Sequence, residues 1–133
     1  MTTKTVLLIN NDPNLREVMQ ACLSHIGGWQ VYSIASPLEG LQRAIQEQPD
    51  AILFALSTTS ISFLTFLKEL RNQPKTQTIP VVLIAPGEKW LNFPLLQHYQ
   101  VLGVIDDLSN PKKFSEQIAK LLDWKEEIFS NSD

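Results

Sequence analysis

Short apolar runs alternate along the chain with longer amphipathic stretches. Residues 6–9, 51–55, 81–84 and 101–105 form runs that are apolar on both faces. Strands of a parallel sheet that is covered by helices on both sides have this pattern. A further segment, residues 29–35, mixes polar with apolar side chains and is predicted to be an edge strand.

Between the runs, apolar residues recur at helical spacing, which predicts helices with one buried face. The stripes are Leu15, Val18, Met19, Cys22, Leu23 and Ile26; Leu38, Leu41, Ala44 and Ile45; Phe63, Leu64, Phe66, Leu67 and Leu70; and Phe114, Ile118, Leu121 and Leu122. Gly27 and Gly28 predict the end of the first helix after Ile26.

Three of the predicted helices start with a capping side chain followed by a proline. These pairs are Asp12-Pro13, Ser36-Pro37 and Asn110-Pro111. The weakest predicted helix lies within residues 88–100 and contains Pro94. Because proline lacks a backbone donor, this helix is expected to begin near Phe93 or to be broken there.

The alternation as a whole predicts a (βα)5 chain of the α/β class. Right-handed crossovers would wind it into a five-stranded parallel sheet between two layers of helices, a three-layer α/β/α sandwich. A length of 133 residues suits one domain. We expect residues 1–133 to form it, with a core over about 4–124 and a C-terminal tail over 125–133.

Composition and charge narrow the class of protein. Hydrophobic residues make up 44% of the chain, which is enough for a packed core and argues against disorder. The 14 acidic and 11 basic residues give a net charge of −3, whereas nucleic-acid binding needs a basic face. Cys22 is the single cysteine and suits a reducing cytosol. Without a long apolar run or a signal-peptide pattern, the prediction is a cytoplasmic protein that binds neither nucleic acid nor membrane.

Ligands bind sheets of this kind at the carboxyl ends of the strands. In this sequence the residues at that edge are 10–12, 55–60, 85–87 and 106–109. The sequence contains no glycine-rich phosphate-binding motif. His25, His98 and Cys22 lack the spacing of a zinc site.

Over residues 4 to about 124, the sequence resembles the receiver domain of two-component response regulators. The matching segments are TVLLINNDPNLREVM, EQPDAILFAL, FLKELR, TIPVVLIA and GVID. The resemblance implies a flavodoxin-like sheet with strand order 2-1-3-4-5. The glutamine-rich helices suggest a cyanobacterial source.

Receivers of this family are phosphorylated on an aspartate with the help of Mg²⁺, which acidic side chains bind. A Ser or Thr and a Lys then contact the phosphoryl group. Matched position by position, the resemblance places Asn10 and Asn11 at the acidic positions, Ala55 at the phosphoacceptor, Ala85 at the Ser/Thr, Asp107 at the Lys and Val104 at the switch aromatic. Each differs from the family's residue type.

We therefore interpret the chain as a degenerate pseudo-receiver, which is not an enzyme and acts as a protein–protein interaction module in two-component-type signalling. The interpretation implies no catalytic residue, no metal ligand and no Mg²⁺ binding. Asp12 is either a remnant metal ligand or, more simply, a helix N-cap. Asp106 and Asp107 either form a relocated cation site with Asp12 or belong to a solvated loop.

Two other functions remain open. The emptied pocket of Asn10, Asn11, Ala55 and Ala85 offers amide groups to a small neutral ligand, so the chain is alternatively a small-ligand sensor. The loop after the third strand contains Ser57, Thr58, Thr59 and Ser60. These side chains are alternatively sites of regulation by a Ser/Thr kinase.

Aromatic residues concentrate around the fourth helix, the fifth strand and the fifth helix, the face through which the resembling receivers commonly dimerise or contact outputs. They are Trp90, Phe93, Tyr99 and Trp124. Trp90 and Trp124 are expected to be exposed, and exposed aromatics are frequent interface anchors. The implied partner is a signalling kinase, a regulator or a second copy of the chain; the alternative is plain core packing.

Overall fold

In the computed structural model, residues 3–55, 60–85, 93–105 and 108–124 are described, without the side chains of residues 60–62. Within these ranges five parallel strands form one sheet in the order β2-β1-β3-β4-β5. The strands are β1 Thr5–Ile9, β2 Gln30–Ile34, β3 Ala51–Ala55, β4 Val81–Ile84 and β5 Val101–Ile105. The predicted α/β class, strand order and edge position of β2 are confirmed. The predicted division of the chain into core and tail stays a prediction.

Helices cover both faces of the sheet, because alternate side chains of each strand point to opposite sides. The α-helices are α1 Pro13–Ala21, α2 Pro37–Glu47, α3 Ser60–Asn72, α4 Phe93–His98 and α5 Pro111–Leu121. One apolar core joins Leu8 of β1 to α1 and α5 residues such as Met19 and Ile118. A second core joins Leu7 of the same strand to α2, α3 and α4.

The predicted helix starts are confirmed by their capping hydrogen bonds. Asp12 Oδ1 accepts from the backbone N–H groups of Asn14 at 3.0 Å and Leu15 at 3.3 Å. Asn110 Oδ1 accepts from Lys113 N at 3.1 Å. Ser36 Oγ likewise accepts from the backbone N–H of α2 at 3.2 Å. The fourth helix begins at Phe93, as the position of Pro94 predicts.

The first helix departs from the predicted regular α-helix, since Cys22–Ile26 continues α1 as a π-helical segment. Gly27 N donates to Cys22 O at 3.3 Å, five residues back, and so closes the wider turn. A Cβ at Gly27 would lie 2.7 Å from Leu23 O and 2.9 Å from the ring of Trp29. Gly27 is therefore required by space, and Gly28 by its φ of 73°.

Two residues of the predicted buried stripes are exposed instead. Val18 on α1 is 62% exposed and Leu38 on α2 is 67% exposed. The buried residue of α1 is Met19, and the next buried residues, Cys22 and Leu23, belong to the π-helical segment. Leu38 lies in the first turn of α2, beside an open groove between α2 and α3. The prediction that both side chains are core residues is wrong.

Candidate functional site

The carboxyl end of β1 is shaped by Asn10, which is 1% exposed. Its Oδ1 accepts from Asp12 N at 2.9 Å, and its Nδ2 donates to Met19 Sδ at 3.7 Å. Its backbone oxygen accepts from Arg16 Nη1 at 2.7 Å. The amide of Asn10 therefore fixes the turn from β1 into α1. A carboxylate could not reproduce the bond to Met19, because an ionised carboxylate donates no hydrogen.

The side chain of Asp12 caps the first helix. It is exposed, and Oδ1 is occupied by two backbone donors at the start of α1. This geometry confirms the N-cap interpretation of Asp12. Asn11, between Asn10 and Asp12, is exposed.

Ala55 and Ala85 lie at the same edge of the sheet as Asn10. The register pairs Ile9 with Phe54 and Ala55 with Ile84, so the residues that follow β1 and β4 flank the end of β3. Ala55 is 8% exposed and Ala85 is fully buried, with its N–H donating to Ile105 O at 3.0 Å. Asn10, Ala55 and Ala85 therefore stand at the ends of three neighbouring strands, with Ala55 packed in the core under α1 and α5 and Ala85 in the core under α2, α3 and α4.

Several predicted site residues lie outside the described part of the chain. They are Asp106, Asp107, Trp90, Ser57, Thr58 and Thr59, and the side chain of Ser60 is not described either. The relocated cation site and the Ser/Thr regulatory loop therefore stay predictions. Among the described residues, no group of three or more His, Cys, Asp and Glu side chains is placed to hold a metal ion.

The proposed aromatic face is only partly exposed. Phe93 is 58% exposed at the start of α4, whereas Tyr99 is half-buried against the core under α2, α3 and α4. Val104, at the switch-aromatic position, is also half-buried and packs on that core. The exposed apolar residue on β5 is Leu102, at 47%.

Leu102 is a surface residue that sequence reasoning missed. The pairing of β4 with β5 shifts between Val81 and Val82, which pair with Val101 and Gly103, so Leu102 is left without a partner residue. Such a β-bulge re-aims the side chain of the extra residue. The run of residues 101–105 is apolar throughout and gives no sign of the irregularity, apart from the glycine at position 103.

The expectation that Trp124 is exposed is wrong. Trp124 is partly buried, and its ring meets that of Trp29 edge to face, with 5.2 Å between the centroids. Lys4 Nζ lies 5.3 Å from the centroid of the Trp124 ring. Both neighbours precede strands, so Trp124 closes the core at the amino ends of β1 and β2. The end of α5 is covered there because α5 packs against the π-helical segment.

Comparisons with known proteins agree with this architecture. The sequence is 35% identical over 112 residues, 83% of the chain, to a probable C4-dicarboxylate response regulator, DctR, of Priestia megaterium, of which it covers 46%. It is 30% identical over 122 residues, 91% of the chain, to the DctR of Halalkalibacterium halodurans, of which it covers 51%. The chain thus spans about half the length of these curated relatives. No family model matches the sequence.

Solved structures of response regulators have a similar fold. The chemotaxis response regulator CheY4 of Vibrio cholerae superposes with a TM-score of 0.78 at 18% identity, covering 90% of this chain and 99% of that one. No helix in the described ranges is long and apolar enough to cross a membrane. The predicted cyanobacterial source stays a prediction. By its strand order, its helix arrangement and its similarity to response regulators, the chain has the fold of a response-regulator receiver domain.

Proposed function

We propose that this receiver domain is a pseudo-receiver, which signals by protein contact and is not phosphorylated on an aspartate. The observation that supports the proposal most directly is that Asn10, Ala55 and Ala85 stand at the ends of the neighbouring strands β1, β3 and β4. Ala55, at the phosphoacceptor position, has no nucleophile, and a methyl group cannot form an acyl phosphate. The chain is accordingly proposed not to be an enzyme.

The donor set at this edge also does not fit Mg²⁺. Magnesium prefers several oxygen ligands and one or more carboxylates in octahedral geometry. The Oδ1 of Asn10 is bonded to Asp12 N, and the Oδ1 of Asp12 is bonded to two amides of α1. Ala55 offers no oxygen from its side chain. Loss of Mg²⁺ binding is therefore part of the proposal.

The same hydrogen bonds weigh against the small-ligand sensor. A ligand would need free amide donors and acceptors in the emptied pocket, but both side-chain atoms of Asn10 are engaged within the protein. Ala85 is fully buried, so its methyl group contacts the protein and not a ligand. Regulation by a Ser/Thr kinase rests on residues outside the described ranges and has no observation in its favour.

The partner surface that we propose lies on α4 and β5, where Phe93 and Leu102 are exposed. Apolar side chains of this size are typical anchors of protein interfaces. A protein partner from two-component signalling, or a second copy of the chain, would cover them. We also propose a cytoplasmic location, because partners of this kind act there. We propose no contact with nucleic acid or membrane.

The phosphorylation proposal is tested by intact-mass measurement. The chain is incubated with acetyl phosphate and MgCl₂, and no phosphoryl adduct is expected. Ala55→Asp alone is expected to remain unmodified, because Asn10, Asn11 and Asp107 still disfavour the cation. The control variant combines Ala55→Asp with Asn10→Asp, Asn11→Asp and Asp107→Lys, and is the one expected to gain a Mg²⁺-dependent adduct. An adduct on the unaltered chain, or on Ala55→Asp alone, would contradict the proposal.

A further inference from the structure

An open cleft runs between α3 and α4, and its larger part lies at the amino ends of β4 and β5. Its larger part has a volume of about 490 Å³ and is lined by Lys68, Arg71, Asn72, Gln77, Thr78, His98, Tyr99 and Gln100. A smaller part of about 240 Å³ is lined by Leu64, Thr65, Lys68, Leu95 and Tyr99. The two parts share Lys68 and Tyr99 and therefore adjoin, and we refer to them together as the cleft.

The two ends of the cleft differ in chemistry. The larger end contains the cations Lys68 and Arg71 and the imidazole of His98, together with neutral polar side chains. The smaller end contains the apolar side chains Leu64 and Leu95. No Asp or Glu lines either part, as far as the described residues go. The cleft is therefore cationic at one end and apolar at the other.

Arg71 gives the cationic end a fixed charge. Its guanidinium donates to five backbone oxygens in the described ranges: those of Ile79 (2.8 Å), Tyr99 (2.9 Å), Gln77 (3.1 Å), Gln100 (3.4 Å) and Thr76 (3.5 Å). Burial lowers the pKa of Arg71 from its ordinary value, since desolvation penalises the charged form. The carbonyls hold the group in place but do not neutralise its charge.

Arg71 also keeps hydrogen-bonding capacity for a ligand. Nη2 has two N–H groups, and its one acceptor in the described ranges is Gln100 O, at 3.4 Å. A ligand anion in the cleft would gain a charge-assisted hydrogen bond from this atom and a second interaction with Lys68. The volume of the larger part lies within the range of small-molecule sites.

We propose that this cleft binds a small amphipathic carboxylate, with its anionic head at Lys68 and Arg71 and its apolar chain along Leu64 and Leu95. The inference goes beyond the proposed pseudo-receiver function and is independent of it. The cleft does not include Asn10, Ala55 or Ala85, so either proposal can fail without the other.

The test is a titration of the ¹⁵N-labelled full chain with octanoate, followed by chemical-shift changes in NMR spectra. We expect the changes to concentrate at Lys68, Arg71, Thr78 and Tyr99. Octanol, which has the chain without the charge, and acetate, which has the charge without the chain, are each expected to bind at least about tenfold more weakly. The proposal would be overturned by chemical-shift changes that map elsewhere. It would also be overturned if octanol or acetate bound as tightly as octanoate.

Three variants sharpen the test without disturbing Arg71. Lys68→Gln is expected to weaken the binding of octanoate about fivefold. The matched control is Lys120→Gln, at an exposed residue of α5, which is expected to leave the binding of octanoate unchanged. Leu95→Gln is expected to weaken the binding of octanoate and to leave the binding of acetate unchanged. Equal affinity of the Lys68→Gln variant and the unaltered chain refutes the assigned anion position.

Discussion

Asn10 has a structural role in the turn from β1 into α1. A neutral amide both donates and accepts, and here it bonds Met19 Sδ on one side and Asp12 N on the other. Asn10 itself is 1% exposed, and its bond to Met19 is buried. The residue that resembles a lost metal ligand is thus a structural element of the β1–α1 turn.

Replacing Asn10 by alanine should therefore destabilise the protein. The variant leaves Asp12 N without its acceptor and opens space beside Met19, and the expected loss is about 1–3 kcal/mol in the free energy of unfolding. Urea denaturation followed by circular dichroism measures it. Asn14→Ala, an exposed asparagine in the same turn, is the matched control and should change stability little. Equal losses in the two variants would remove the structural role assigned to Asn10.

Gly27 is a second single residue at which a substitution is expected to lower stability. A Cβ there would sit 2.7 Å from a backbone oxygen, which cannot move as a side-chain end can. We expect Gly27→Ala to cost roughly 1–3 kcal/mol by overpacking, measured as a lower urea midpoint. Ser24→Ala, in the same π-helical segment, inserts no volume and serves as the control. An unchanged midpoint for Gly27→Ala would show that the π-helical turn relaxes without cost.

At the scale of elements, Arg71 ties three parts of the chain together. It lies near the end of α3, and its guanidinium binds carbonyls of the loop before β4 and of the turn between α4 and β5. Helix α4 has only six residues, too few for a helix to be stable by itself. Its position against β5 therefore depends on contacts of this kind.

Arg71→Lys is expected to lower the free energy of unfolding by about 2 kcal/mol, although the charge is kept. The reason is that an ammonium group cannot reach carbonyls on both sides as the planar guanidinium does. Hydrogen exchange should show the largest loss of protection at Tyr99 and Gln100. Lys68→Arg, one turn earlier and exposed, is the control. A uniform rise in exchange over all strands would instead indicate a global effect and contradict the local role.

At the scale of the whole molecule, exposed apolar side chains are distributed over several faces. In the described ranges the large ones are Val18, Leu38, Phe93 and Leu102. Single exposed apolar residues are common on protein surfaces and carry little information alone. Phe93 and Leu102 differ because they belong to neighbouring elements, α4 and β5, which contact each other.

This arrangement predicts which face a partner covers. Phe93→Glu combined with Leu102→Glu should abolish self-association, or capture of a signalling partner from the source organism, because burying two carboxylates is unfavourable. Light scattering and affinity capture are the measurements. Leu38→Glu, at a residue more exposed than either, is the matched control and should leave both unchanged. If Leu38→Glu is the variant that loses the interaction, the interface lies on α2 instead.

Much of the fold could be predicted from local patterns because each pattern has a local cause. Apolar runs predicted four of the five strands, and the mixed segment at residues 29–35 predicted the edge strand β2. Capping residues before prolines predicted the starts of α1, α2 and α5. Pro94 predicted the late start of α4 because a missing donor acts on its own helix. The alanines and asparagines at the strand ends were likewise visible as departures from a resembling family.

The remaining features depend on residues that are distant in the sequence, and only the tertiary structure decided them. Helical periodicity predicted that Val18 and Leu38 are buried. Both side chains are exposed in the folded protein. The bulge that exposes Leu102 arises from pairing with β4, and the burial of Trp124 arises from Trp29, far along the chain. The carbonyls around Arg71 likewise come from loops on two sides of α3. The sequence by itself determined the elements and the chemistry absent from the strand ends; packing decided which side chains meet and which face solvent.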